Sequence, residues 1–337
     1  MNTGVKIATF GAALAATFGA AFGVGTGVGP LDAEPDSGKG EHGAHAESGG
    51  GSDSGSGGGA AGADESGPGG LASTADGYAL ELKTPRVREG KSEELRFAVR
   101  DEKGRAVTAY KKEHDKELHF ILASRDLSTF RHLHPERAED GTWSTDVSLP
   151  RAGDYRVFAD FTPQVKGGKA AEGVTLGSDL AVSGDYDPEP LPEPAAKAKV
   201  DGYEVRLDGA LEPGKARELE LKVSKDGEPV KDLQPYLGAY GHLVALRSGD
   251  LGYLHVHPNG EPGDGRTKAG PGVSFTTTAP SAGAYRLFLD FKHEGKVRTA
   301  AFTVHAGGDG AAAPGSAGGD GSGKASEEGA ESGGHAH

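Results

Sequence analysis

Residues 130–136 read FRHLHPE and residues 253–259 read YLHVHPN, so a His-x-His-Pro element occurs twice in a chain with 13 histidines. In an extended strand residues i and i+2 project from the same face, which groups His132 with His134 and His255 with His257. A third histidine stands 13 residues before the first of each pair, His119 before His132 and His242 before His255. Hairpins closing around residues 125–128 and 248–251 are expected to set His119 opposite His132, and His242 opposite His255, on the face carrying the pair. Each copy would then gather three imidazole nitrogens at about 2 Å from one ion, a common scheme for zinc or copper(II). The bland alternative is histidines that pack hairpins or bond backbone carbonyls. Recurrence of one spacing in two segments that otherwise differ at most positions favours ligation.

Two carboxylates could complete such sites. Asp160 and Asp290 are candidates for a fourth ligand or for a group that orients a histidine ring. Arg156 and Arg286 lie four residues earlier on the same strand face, so an Arg–Asp pair along the strand is the favoured expectation for both. His114, His293 and His305 lack a counterpart in the other copy and stand outside the paired sites. Tail histidines His42, His45, His335 and His337 could bind metal only loosely.

The elements that must position these residues repeat with a period of about 125 residues. DGYALEL at 76–82 matches DGYEVRL at 201–207, the histidine block at 119–135 matches 242–258, and AGDYRVFADF at 152–161 matches AGAYRLFLDF at 282–291. Within each copy, segments such as EELRFAVRD, ELHFILAS, TWSTDVSL and DYRVFADF alternate apolar and polar residues with the period of a half-buried strand. The expected fold is all-β: two tandem antiparallel β-sandwich domains of immunoglobulin- or cupredoxin-like type, at 76–183 and 200–305, joined by a Pro-rich spacer at 184–199. Gly-x-Tyr before a late strand fits a tyrosine corner at Tyr155. In that strand Tyr155, Val157, Ala159 and Phe161 share one face while Arg156, Phe158 and Asp160 share the other, as in a central strand. Trp143 belongs to the core. Pro135 and Pro258, unable to donate to a ladder, should end their strands.

Outside the repeats the sequence is of low complexity. Residues 32–75 and 306–337 are Gly, Ser, Ala and acidic residues, expected to be disordered tails, and they carry −7 and −4 of the net −14. The body is only mildly acidic and has no basic stripe, which argues against nucleic acid as a partner. The absence of cysteine removes disulfides, thiolate metal sites and a blue-copper centre, leaving nitrogen and oxygen as ligands. At the N-terminus (1–31), one lysine, Lys6, precedes an uncharged run from Ile7 to Val28 that would span about 33 Å as a helix. An uncleaved single-pass anchor with Lys6 inside and the domains on the extracellular side is expected. The alternative is a secretory signal cleaved near Gly19 and Ala21.

The block GHLVAL, YLHVHP, AGAYRLFLDF, with its first-copy partner, resembles secreted or membrane-anchored actinobacterial His-x-His-Pro β-sandwich proteins that are similar to the copper-handling CopC and YtkA-like domains. The resemblance covers roughly 76–183 and 200–305. It implies metal handling, most naturally of copper, outside the cytoplasm, with an envelope metal transporter or chaperone as partner. CopC-like proteins use a free N-terminus and, in some members, methionines; neither is at hand in a chain whose one methionine is the initiator. The functional expectation is an extracytoplasmic metal-binding protein for copper(II) or zinc uptake, buffering or resistance. A structural or adhesive β-sandwich pair without metal is the alternative, and a zinc metalloenzyme is less favoured. No Ser/His/Asp triad or phosphate loop stands out, and a non-enzymatic role is preferred. Glu139 and Glu261 sit as in a cupin, but the Gly expected after each is missing.

Overall fold

The computed structural model describes residues 68–164, 172–254 and 256–307, all within one compact unit, Ala61–His337. The expected anchor at 1–31, His255, the tail beyond residue 307 and most of the linker expected at 32–75 lie outside the described residues. Among the described residues there is no helix, hence none long and apolar enough to cross a membrane.

The first repeat contains β1 (Thr74–Ala75), β2 (Tyr78–Leu82), β3 (Arg86–Arg88), β4 (Ser92–Arg100), β5 (Tyr110–Lys111), β6 (His119–Ser124), β7 (Phe130–Leu133), β8 (Glu136–Arg137), β9 (Thr142–Ser148), β10 (Gly153–Pro163) and β11 (Val174–Ser183). The second contains β12 (Lys197–Val200), β13 (Tyr203–Asp208), β14 (Ala216–Lys225), β15 (Glu228–Pro229), β16 (His242–Arg247), β17 (Tyr253–Leu254), β18 (Val256–Pro258), β19 (Gly272–Thr278), β20 (Gly283–His293) and β21 (Lys296–Ala306). In the first repeat an outer sheet ordered β1-β2-β4-β9-β8 faces an inner sheet ordered β3-β11-β10-β6-β7. In the second, an outer sheet β12-β13-β14-β19-β18 faces an inner sheet β17-β16-β20-β21. Named strands pair antiparallel except β3 with β11, which run parallel.

Each sandwich has its own core. Leu95, Phe97 and Trp143 of one sheet meet Phe120, Leu122, Tyr155 and Val157 of the other, with Phe97 and Phe120 stacked at 4.4 Å. Leu219, Leu221 and Phe275 meet Ala245, Leu287 and Phe302 in the second. Both tyrosine corners form: Tyr155 donates to the Arg151 carbonyl at 2.9 Å and Tyr285 to the Ser281 carbonyl at 2.8 Å.

A third core joins the repeats. Ile121, Ala123, Phe130 and Phe158 on the outward face of one inner sheet pack on Val244, Leu246, Tyr253 and Phe288 of the other. This is why every residue of β6 is buried: Phe120 and Leu122 point into their own sandwich, while Ile121 and Ala123 point into the neighbour. Corresponding residues exchange partners across this boundary, Phe130 against Phe288 at 4.1 Å and Tyr253 against Phe158 at 5.7 Å. Such reciprocity is the signature of an isologous two-fold contact, here realised between repeats of one chain.

Part of the linker expected to be disordered is ordered. Gly69 bridges Tyr253, Gly70 donates to the Thr175 carbonyl at 3.0 Å, and Arg156 reaches the carbonyls of Gly70 and Leu71. A Cβ on Gly177 would collide with the Gly70 carbonyl oxygen, so glycine permits this close approach.

Candidate metal centre between the repeats

The period-two rule that sends Ile121 into the inter-repeat core sends His119 there too, at the end of the same strand, and places His242 on β16 by the same logic. Asp160 pairs with His119 across β10 and β6, and Asp290 with His242 across β20 and β16. Each inner sheet therefore carries a His–Asp pair at the polar end of a face that is otherwise aromatic and aliphatic, and packing the sheets together brings them to one place.

Hairpin closure changes the expected partners. The turn does fall at residues 125–128, with Ser124 donating to the Thr129 carbonyl at 2.9 Å, but the register pairs Ile121 with His132 and Phe120 with Leu133. His119 is thus not the cross-strand partner of His132. A shift of two residues preserves the face, so the three rings still converge: ring centroids lie 5.4 Å apart for His119 and His132, 5.7 Å for His119 and His134, and 4.8 Å for His132 and His134.

The second copy is assembled differently. Its hairpin ends at Leu254, and Val256–Pro258 already pairs with β19 of the outer sheet, whereas the equivalent Leu133 still pairs within the inner sheet. Pro258 is the last residue of β18 and lies at the sheet edge, as expected of a residue that cannot donate to a ladder. His257 is exposed, and His255 lies outside the described residues. Among the described residues, two groups place ligand atoms within 4.8 Å of one another: His119, His132 and His134, and His132, His242 and Asp290. His257 is in neither. His242 stacks on His119 at 5.3 Å and lies 4.5 Å from His132, joining the first copy's histidines.

Asp290 does not pair with Arg286, nor is Arg156 tied to Asp160 in the way the strand spacing suggested. Arg286 donates to Thr303, and Arg156 pairs with Asp179 at 2.6 Å. Asp290, only 2% exposed, holds His132 of the other repeat: Oδ2 lies 2.9 Å from His132 Nδ1, and Oδ1 accepts from Thr299. Asp160 accepts from Thr175 at 2.9 Å and borders Tyr253, whose hydroxyl is held well above its ordinary pKa by burial and then by this carboxylate.

Proton accounting exposes the chemistry. A carboxylate can only accept, so His132 Nδ1 carries the proton; the Glu113 carbonyl 3.2 Å from His119 Nε2 fixes the proton there in the same way. The remaining nitrogens, His119 Nδ1 and His132 Nε2, face one another at 3.1 Å. His134 Nε2 and His242 Nδ1 are buried with no hydrogen-bond partner. Burial, and then the neighbouring rings, push His119 down to about 4 and His134 down to about 3, with His242 also held well below its ordinary value. At neutral pH these three are neutral imidazoles, the form that binds metal.

Among the histidines set aside on sequence, His293 is satisfied by Tyr203 at 2.8 Å and Asp232 at 3.0 Å, and His305 is exposed. His114, also set aside, lies beside the cluster, with its ring 6.1 Å from that of His119 and 6.1 Å from that of His242. Its five-residue spacing from His119 was the available signal.

No curated protein matches the sequence. Among solved structures, the chain is similar to the Lin-41 filamin domain (13% identity, TM-score 0.23, covering 35% of this chain and 98% of that one). It is also similar to the Escherichia coli adhesin FdeC (16%, 0.22, 70% and 65%) and to invasin, a bacterial integrin-binding protein (12%, 0.21, 69% and 39%). The chain thus spans less than two thirds of the length of the latter two. A family model described as a domain of unknown function, DUF8832, matches at residues 73–175 and again at 198–308. These two matches take in more than half of the sequence, and the chain belongs to that family.

Proposed function

We propose that this protein is a non-catalytic metal-binding pair of β-sandwiches that holds one copper(II) or zinc ion between its repeats, on the extracellular side of the membrane. The observation that carries the reading is the approach of His119 Nδ1 and His132 Nε2 to 3.1 Å. Two nitrogens each about 2 Å from a tetrahedral ion stand about 3.3 Å apart, close to this separation, so one ion could take both as ligands. His134 Nε2 and His242 Nδ1, buried and unpartnered, are further donors. Asp290 fits the orienting carboxylate of a histidine ligand, supplied from the opposite repeat. Placement outside the cytoplasm rests on the apolar N-terminal run, whether anchor or signal, and delivery to an envelope transporter or chaperone would follow from it.

The test is metal content after exposure of the full-length chain to copper(II) or zinc and desalting, with His42, His45, His335 and His337 replaced by alanine to silence the tails. Close to one ion per chain is expected. Two would restore independent sites in the two repeats, and none would remove the metal reading.

A second reading has its own support. If His132 carries a second proton, it donates to Asp290 and to His119 at once, and the cluster becomes a buried polar clasp for the inter-repeat core. The protein would then be a structural or adhesive surface module without metal. Under that reading His132→Ala lowers the thermal stability of metal-free protein and changes nothing about ion uptake.

A further inference from the structure

The histidine cluster lies beside two equivalent turns whose first central residues differ in exposure. In the first repeat Glu113 and Lys116 exchange backbone hydrogen bonds at 2.9 and 3.0 Å, with His114 and Asp115 between them at φ of 49° and 65°. In the second, Tyr236 and Ala239 do the same at 2.8 and 3.2 Å around Leu237 and Gly238, at φ of 54° and 69°. Positive φ at both central positions defines a turn that fixes where its first central side chain goes. The turns meet, since a Cβ on Gly238 would lie 3.6 Å from His114 Cα. Leu237 is 6% exposed. His114, at the equivalent position, is exposed to solvent. A cavity of about 40 Å3 runs beneath it, bordered by His114, His119, His242, Glu113, Lys116 and Asp160. Such a space holds a few water molecules or a partly hydrated ion.

Resting on the metal reading, we infer that His114 is a transfer ligand, which takes a divalent cation from solvent and passes it through this cavity to His119 and His242. An ion reaching the buried rings directly would have to shed its water before gaining any protein nitrogen. An exposed imidazole at the mouth replaces one water first, and its ring is within about one ion's coordination diameter of both buried rings. The same residue serves release, because a lowered barrier acts in both directions.

Rapid-mixing measurements on the full-length chain with the four tail histidines replaced by alanine would follow zinc uptake, and its loss to a chelator, with and without His114→Leu, the residue type of the equivalent turn. Uptake and release both about tenfold slower, with stoichiometry and equilibrium affinity unchanged, are expected for a group that acts only on the barrier. Unaltered rates would overturn the assignment and leave the site intact. Faster release with weaker affinity would also overturn it, making His114 a resident ligand. A parent chain that takes up no zinc or copper(II) would instead remove the site on which the inference rests.

Discussion

A carboxylate that grips one nitrogen of an imidazole fixes the ring plane and makes the other nitrogen a better donor. Asp290 does this to His132 from the opposite repeat, with Thr299 holding its second oxygen. Asp290→Asn, nearly identical in shape, is expected to weaken metal binding by about 10–100-fold, read by competition with a chelator of known affinity. A second carboxylate acts on the spacer. Burial opposes ionisation of Asp126, but hydrogen bonds from Ser124, Glu189 and Ser128 outweigh it and hold the pKa at about 2 against an ordinary 3.8. The folded chain then binds fewer protons than the unfolded one, so the stability Asp126 contributes is complete above 3.8 and is lost as pH falls towards 2. Acid unfolding followed by circular dichroism should show this loss between those values, and Asp126→Ala should abolish that component of it.

The strands explain why chemistry and packing share a surface. In β10, Tyr155 and Val157 belong to the sandwich core while Phe158 and Asp160 face the other repeat, and β20 repeats the arrangement with Phe288 and Asp290. Phe130 stacks on Phe288 at 4.1 Å, with the planes 7° apart. Phe130→Ala opens a gap in the inter-repeat core alone and should cost about 3–5 kcal/mol in denaturant unfolding. A double-mutant cycle with Phe288→Ala should return a coupling of about 0.5–1.5 kcal/mol. The four strand segments read from alternation agree with β4, β6, β9 and β10 to within about two residues at each end, ordinary scatter for strand ends. The hairpin register did not follow, because the turn at 125–128 sets Ile121, not His119, opposite His132.

At the scale of the whole molecule, the two repeats behave as halves of a dimer fused in one chain, with the candidate site at the seam. His242→Ala therefore separates two architectures. With independent sites, the alanine would halve the ion count and leave the first repeat's affinity untouched. With a shared site, the variant should weaken the single site and shrink the metal-induced rise in melting temperature, a rise worth about 2.7 kcal/mol at a hundredfold excess of ion over Kd. Calorimetry with and without zinc reads both quantities.

Local periodicity and internal repetition were enough to determine the all-β class, the duplicated unit, the tyrosine corners and the face shared by His119, His132 and His134, because each depends on neighbours along the chain or on one repeat compared with the other. Which histidines meet was decided elsewhere. Outward faces that read as the second side of a central strand are buried against each other, so His242 joins His119 and Asp290 reaches His132. The second hairpin leaves its sheet at Leu254, which keeps His257 out of the candidate groups. Contacts between residues as far apart as His132 and Asp290 depend on how two sheets dock, and docking is set by side-chain packing across the seam, which no local pattern encodes.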